Sequence, residues 1–136
     1  MKIIVKSNTE NLSKILSVIE EELDNYSVNI KSKFQLELVI EEIFTNICKF
    51  SYETEGDVEI NYSLSQDSLE MKITFIDDGI EFNPLKKEDP DLTTSVDERE
   101  IGGLGLTLVK NNVDSIDYSY ENNRNILTIT KLLKTD

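Results

Sequence analysis

Ile76-Asp77-Asp78-Gly79-Ile80-Glu81-Phe82-Asn83-Pro84 ends an apolar run on two carboxylates and a glycine. An ionised carboxylate is purely an acceptor, and it can take the exocyclic amino hydrogen of adenine, an edge where guanine offers a different pattern. Gly79 lets the backbone turn sharply and approach a base. Taken alone, Asp-Asp-Gly after a strand is also an ordinary turn. Its neighbours on either side give it more weight.

Upstream stands Glu41-Glu42-Ile43-Phe44-Thr45-Asn46, in a stretch with helical spacing. Glu42 and Asn46 are four apart, so they share a helix face and can point at one ligand. A neutral amide oxygen such as that of Asn46 can ligate Mg²⁺ while phosphate oxygens and water complete the octahedron. Glu42 is then placed to accept a proton from a hydroxyl attacking a γ-phosphate. Lys49, three residues beyond Asn46, can neutralise phosphate charge. A solvated acidic helix face with a surface lysine is the plainer reading of the same residues.

Downstream stands Ile101-Gly102-Gly103-Leu104-Gly105-Leu106, at the expected start of another helix. Closely spaced glycines let backbone N–H groups close around phosphate, and the helix dipole adds a favourable field. No Gly-Lys-Ser/Thr follows, so this is not a P-loop. No strand immediately precedes it, so it is not a dinucleotide fingerprint either.

The rest of the chain frames these three stretches. Ile3 to Val5 reads as a strand, and Leu12, Ile15, Leu16, Ile19 and Leu23 as a helix face ending near Asp24-Asn25-Tyr26. A second helix is expected from about Asn29 to Phe50, with Phe34, Leu38, Ile43 and Ile47 among its buried positions. Val58, Ile60 and Tyr62 alternate with polar residues, and a hairpin about Ser65-Gln66-Asp67-Ser68 leads into Leu69 to Ile76. Periodicity then fails until Gly105, across a charged stretch holding both prolines, Pro84 and Pro90. A loop of that length is more often a lid than a plain connection. A third helix is expected after Gly103, then strands at Ile116 to Tyr120 and Asn125 to Leu132 about Asn122-Asn123. The order β, α, α, β, β, lid, α, β, β predicts a single α+β domain over 1–136. Its architecture is a two-layer α/β sandwich, a mixed, mostly antiparallel sheet with helices on one face.

Composition narrows the function. The 136 residues are 38% hydrophobic, enough for one core. With 27 acidic against 14 basic residues the net charge is -13, which repels nucleic-acid backbone and anionic lipid. The amino terminus lacks the apolar core of a signal peptide, and no window is long enough to cross a membrane, so a cytoplasmic protein is expected. Cys48, the single cysteine, reads as a buried thiol in a reducing compartment.

The order of these motifs resembles that of the GHKL or Bergerat-fold ATPases, over nearly the whole chain. Within that group, Glu42-Ile43-Phe44-Thr45-Asn46, Asp77 to Pro84, Gly102 to Lys110 and the closing Val113-Asp114 with Asn125-Ile126-Leu127-Thr128 are similar to the anti-sigma-factor serine/threonine kinases. Asn46 to Ser51 looks like the second half of a histidine-kinase Asn box. The resemblance implies ATP and Mg²⁺ as ligands, Asn46 as the metal residue and Glu42 as general base. Asp77 and Gly79, in a stretch that includes Phe82, would read adenine, and Thr128 would help hold it. Gly102, Gly103, Leu104, Gly105 and Leu106 would surround the phosphates, with Lys49 nearby. Arg99 looks like a lid arginine reaching the phosphates, the lid running over about 80–102.

The activity so implied is transfer of the γ-phosphoryl group to a serine or threonine of a STAS-domain anti-anti-sigma protein. A sigma factor would be the protein sequestered. A nucleotide-dependent binding module without phosphotransfer shares every motif. The Lys49-Phe50-Ser51 ending also suits the catalytic half of a split histidine kinase, whose phosphoacceptor histidine would lie on another protein. Relatives include homodimers, although no exposed apolar stripe in the sequence argues for one.

Overall fold

Asn29 opens the helix that organises the molecule: its side-chain Oδ1 accepts the backbone N–H of Ser32 at 2.8 Å, satisfying one of the orphan donors of the first turn. The computed structural model describes residues 1–86 and 101–135, with the backbone alone at 86 and 101–106. From Asn29, α2 runs over Ile30–Asn46 and continues into a five-residue π-helical turn, Ile47–Ser51. Its buried stripe is Leu36, Val39, Ile40, Ile43 and Phe44. This corrects the expected face. Phe34 is 59% exposed and Leu38 only half-buried. Phe34 lies two residues from Leu36, roughly 200° around the helix, so both cannot face the sheet.

The first helix, α1 (Leu12–Leu23), follows strand β1 (Lys2–Lys6) and buries Ile15, Ile19 and Leu23, as its spacing predicts. Strands β2 (Asp57–Leu64) and β3 (Glu70–Asp77) form the expected hairpin. A short 3₁₀ turn, Pro84–Lys86, closes the first described segment. The second begins with α3 (Ile101–Asn112), followed by β4 (Ser115–Glu121) and β5 (Arg124–Leu132). Asn122 and Asn123 both adopt positive φ in the β4–β5 turn, a conformation asparagine tolerates better than most residues. Most of the expected lid, including Pro90 and Arg99, lies outside the described residues.

The five strands pair in the order β1-β2-β3-β5-β4, antiparallel at every described pairing. The sheet is therefore antiparallel rather than mixed. The reason is topological: β3 and β4 run the same way, but the β4–β5 hairpin folds back and inserts β5 between them.

Alternation fixes which side chains meet the helices. Val58, Ile60 and Tyr62 of β2, Met71, Ile73 and Phe75 of β3, and Leu127 and Ile129 of β5 are buried, while their neighbours in sequence face outward. Full burial of one such side chain stabilises the fold by about 1.5–3 kcal/mol. The same rule carries Asp77 and Asn125 to the inner face at one end of the sheet, where they are register partners. No helix among the described residues is long and apolar enough to cross a membrane.

Candidate functional site

At that end of the sheet the apolar layer opens into a cleft of about 450 Å³, its open mouth included. Ile43, Phe75, Val109, Ile116 and Leu127 form its apolar walls, and Asn46, Ser51, Asp77, Tyr118 and Asn125 supply the polar atoms. A concave, mostly apolar cleft with a few convergent polar groups is the usual form of a small-molecule site.

Among the described residues Asp77 is its only ionisable carboxylate, and it is 3% exposed. Its Oδ1 accepts the backbone N–H of Gly79 at 3.0 Å and the Asn125 amide at 2.9 Å. Among the described residues its Oδ2 has only the Ser51 hydroxyl, at 3.5 Å. Burial pushes the Asp77 pKa up from the usual carboxylate value, the three donors pull it back, and the charge of Asp78 adds a further push upward. Oδ2 is thus the less engaged acceptor among the described residues, on a side chain that lines the cleft.

The π-helical turn builds the opposite wall. Its wider turn brings Ser51 as well as Asn46 onto the cleft, five residues apart, where an α-helix would have turned one of them away. The Ser51 carbonyl accepts the N–H of Ile80 at 2.8 Å. A Cβ at Gly79 would fall 2.1 Å from that carbonyl oxygen, so glycine is required by the close approach of two backbones. Phe82 lines the cleft and stacks on Phe50 of the π turn, with ring centroids 5.0 Å apart. Tyr52 braces the same loop: its hydroxyl accepts the N–H of Asp78 at 3.0 Å and lies 2.7 Å from the Asp57 carbonyl.

Asn46 is buried, and its Nδ2 donates to Glu42 Oε1 at 3.2 Å, so the spacing of four joins them on one face. Among the described residues no hydrogen bond engages Asn46 Oδ1. A buried carbonyl oxygen of this kind suits a hard cation, and no group of three or more His, Cys, Asp or Glu offers a rival cage among the described residues.

Comparisons with known proteins place the chain in a family. Residues 5–131 match the model of the family described as "Histidine kinase-like ATPase domain". The chain belongs to that family. Membership of this ATPase family implies ATP as the nucleotide. The chain is 27% identical over 107 residues to the serine/threonine-protein kinase BtrW of Bordetella bronchiseptica, covering 79% of this chain and 74% of that protein. It is 26% identical over 132 residues to an anti-sigma F factor of Clostridium acetobutylicum, covering 96% and 90% respectively. In fold it resembles a crystal structure of the RsbU and RsbW domains of Rv1364c from Mycobacterium tuberculosis, with a TM-score of 0.66 at 14% identity. That match covers 98% of this chain and 32% of the longer protein.

Of the residues expected to bind ligand in this histidine kinase-like ATPase domain, the structure brings Asn46, Asp77, Gly79 and Phe82 together, with Glu42 beside Asn46. Lys49 is exposed and does not line the cleft, because the π turn changes the phase on which the expectation of a shared face rested. Gly102, Gly103, Leu104, Gly105 and Leu106 lie within the first turns of α3, which begins at Ile101 rather than after Gly103. The first backbone N–H groups of any helix lack intrahelical acceptors, so this helix start still offers donors. Thr128 is not in the cleft. It stands on the outer face of the sheet, 3.1 Å from Thr74 between hydroxyl oxygens, because alternation along β5 assigns the inner face to Asn125, Leu127 and Ile129. Asn125, Ser51 and Tyr118 were not singled out by the sequence as site residues. The signal that finds Asn125 is its parity with Leu127 and Ile129. Cys48 is half-buried, and burial pushes its thiol up to about 11, which keeps it protonated and unreactive at neutral pH.

Proposed function

We propose that this chain is an ATP-dependent serine/threonine protein kinase of the anti-sigma type, acting in the cytoplasm on a STAS-domain antagonist. A sigma factor would be the protein it sequesters. The observation that carries the reading is the buried Asp77, whose Oδ2 stands at an apolar cleft with one long hydrogen bond, a match for the amino edge of adenine. The similarity to proteins named serine kinases and anti-sigma factors supports the choice of reaction.

In this reading Asp77 and the Gly79 turn take the base, with Phe82 and the apolar walls on its faces. Asn46 Oδ1 holds Mg²⁺, which when bound neutralises charge developing on the transferred phosphoryl group. The amino-terminal turn of α3, Gly102 to Gly105, receives phosphate oxygens. Glu42 accepts the proton of the attacking hydroxyl, its carboxylate oriented by the Asn46 amide. Arg99 completes the phosphate contacts from the lid.

Calorimetric titration with ATP, ADP and GTP, with and without Mg²⁺, tests the site. Adenine-selective binding that Asp77→Asn loses is the expected result. Absence of binding by the unaltered chain defeats the proposal. Transfer is tested separately with Glu42→Gln and a labelled γ-phosphate. Binding retained with transfer to a STAS-domain protein lost supports the kinase. Unchanged transfer removes Glu42 from the mechanism, and no transfer by either protein points to a binding switch.

A further inference from the structure

Asn125 is 3% exposed and uses its whole hydrogen-bonding capacity inside the protein. Its Nδ2 donates to Asp77 Oδ1 at 2.9 Å and to the Ile80 carbonyl at 2.7 Å. Its Oδ1 accepts the Phe82 N–H at 3.0 Å and the Tyr118 hydroxyl. An amide has two donor hydrogens and two acceptor lone pairs, and all four are occupied here. The amide cannot be reversed without setting its oxygen against a carboxylate and a carbonyl and its NH₂ against the Phe82 N–H. Asn125 therefore has nothing left for a ligand. What it does is fill Asp77 Oδ1, together with the Gly79 N–H, and so leave Oδ2 as the oxygen turned over to the cleft.

We infer that Asn125, held by Tyr118, is a positioning residue that sets which oxygen of Asp77 meets the purine, and thereby selects a 6-amino over a 6-oxo base. This rests on the nucleotide reading of the cleft given above. A 6-amino group donates to Oδ2, whereas a 6-oxo group sets a lone pair against it, so the preference depends on an ionised carboxylate held in one orientation. With Asn125 gone, Asp77 can rotate or take up a proton, and a protonated carboxyl donates to the 6-oxo group instead. The same amide ties together β5, the Asp77–Gly79 turn and Phe82, so base reading and the entry to the lid share one anchor.

The test compares the unaltered chain with Asn125→Ala and Tyr118→Phe, the latter keeping the ring in place while removing one hydroxyl. Dissociation constants are measured for ADP and IDP, and the Asp77 carboxyl is titrated by ¹³C NMR in the ligand-free proteins. Loss of one hydrogen bond to a charged group predicts a fall of about tenfold in the IDP/ADP ratio of dissociation constants for Asn125→Ala, and a smaller fall in the same direction for Tyr118→Phe. The Asp77 midpoint should rise in Asn125→Ala, since a donor that favours the ionised form is removed. A purely structural role would weaken both nucleotides alike. An unchanged ratio, or an unmoved Asp77 midpoint in Asn125→Ala, overturns the inference. Failure of the unaltered chain to bind either nucleotide would instead sink the nucleotide reading, while the titration still decides whether Asn125 governs Asp77.

Discussion

Strands β3 and β5 carry two polar cross-strand pairs three residues apart in register, Asp77 with Asn125 and Thr74 with Thr128, and their surroundings could hardly differ more. The first pair faces the helices, is almost fully buried, and is satisfied by the Gly79 N–H, Ser51, Tyr118, the Phe82 N–H and the Ile80 carbonyl. The second is half-buried on the opposite face, where two hydroxyls share one hydrogen bond. A buried charge is tolerated only where donors and a purpose are assembled around it, while a surface threonine pair needs neither. Residue type does not separate the two pairs. Parity along the strand does.

The strongest way to break the comparison is Asp77→Asn. Asparagine keeps the shape but replaces Oδ2 with a donor or forces a flip, so adenine-nucleotide affinity should fall by about 100-fold or more. Stability should move the other way. The folded pKa of Asp77 is raised by burial, so the native state holds its proton more tightly than the unfolded chain. The associated stability is fully present below the unfolded carboxyl pKa and is lost as pH rises through the folded value. At neutral pH Asp77→Asn should therefore melt no lower than the parent in the absence of nucleotide, by thermal denaturation. A sharply lower melting point would make Asp77 structural rather than functional.

Gly79→Ala tests the backbone part of the site. Its Cβ would collide with the Ser51 carbonyl, and such overpacking costs about 1–3 kcal/mol. Denaturant titration should show that loss together with weaker nucleotide binding, because the turn and the π segment separate. No loss of stability would mean that the two backbones are not held in contact in solution.

A second raised carboxyl provides a control away from the cleft. Glu37 on α2 is pushed up to about 7, first by a hydrogen bond shared with Glu20 of α1, then by partial burial. The sign is the same as for Asp77: its stabilising contribution is present at low pH and fades as pH rises through about 7. Glu37→Gln should flatten the stability slope between about pH 5 and 8, an exposed-pair effect expected to be small. It should leave nucleotide affinity untouched. A change in affinity would extend the site beyond the cleft.

The smallest effect belongs to Thr128→Ala. Loss of one part-exposed hydroxyl contact should cost about 0.5 kcal/mol or less and leave ADP and IDP affinities unaltered. A tenfold loss of ADP affinity would return Thr128 to the site and contradict the assignment of faces.

Much of the molecule was legible in the chain itself. The alternation in β2, β3 and β5, the helix spacing of α1 and the asparagines at 29, 122 and 123 determined the elements, because local periodicity and turn chemistry act within a few residues. The succession of Glu42 and Asn46, Asp77 and Gly79, then the glycines at the start of α3 determined the resemblance to the family, because order and spacing of motifs are properties of the sequence alone. Tertiary structure alone decided the rest. Phe34 faces outward and Leu36 inward because α2 can lay only one stripe on the sheet, and both stripes are apolar in sequence. Lys49 leaves the cleft and Ser51 joins it because one π turn alters the helical phase, something no spacing rule for an α-helix contains. Asn125, and not Thr128, lines the cleft because the side of a strand that meets the helices is set by its register with distant strands, and a shift of one residue exchanges every side chain between the two faces.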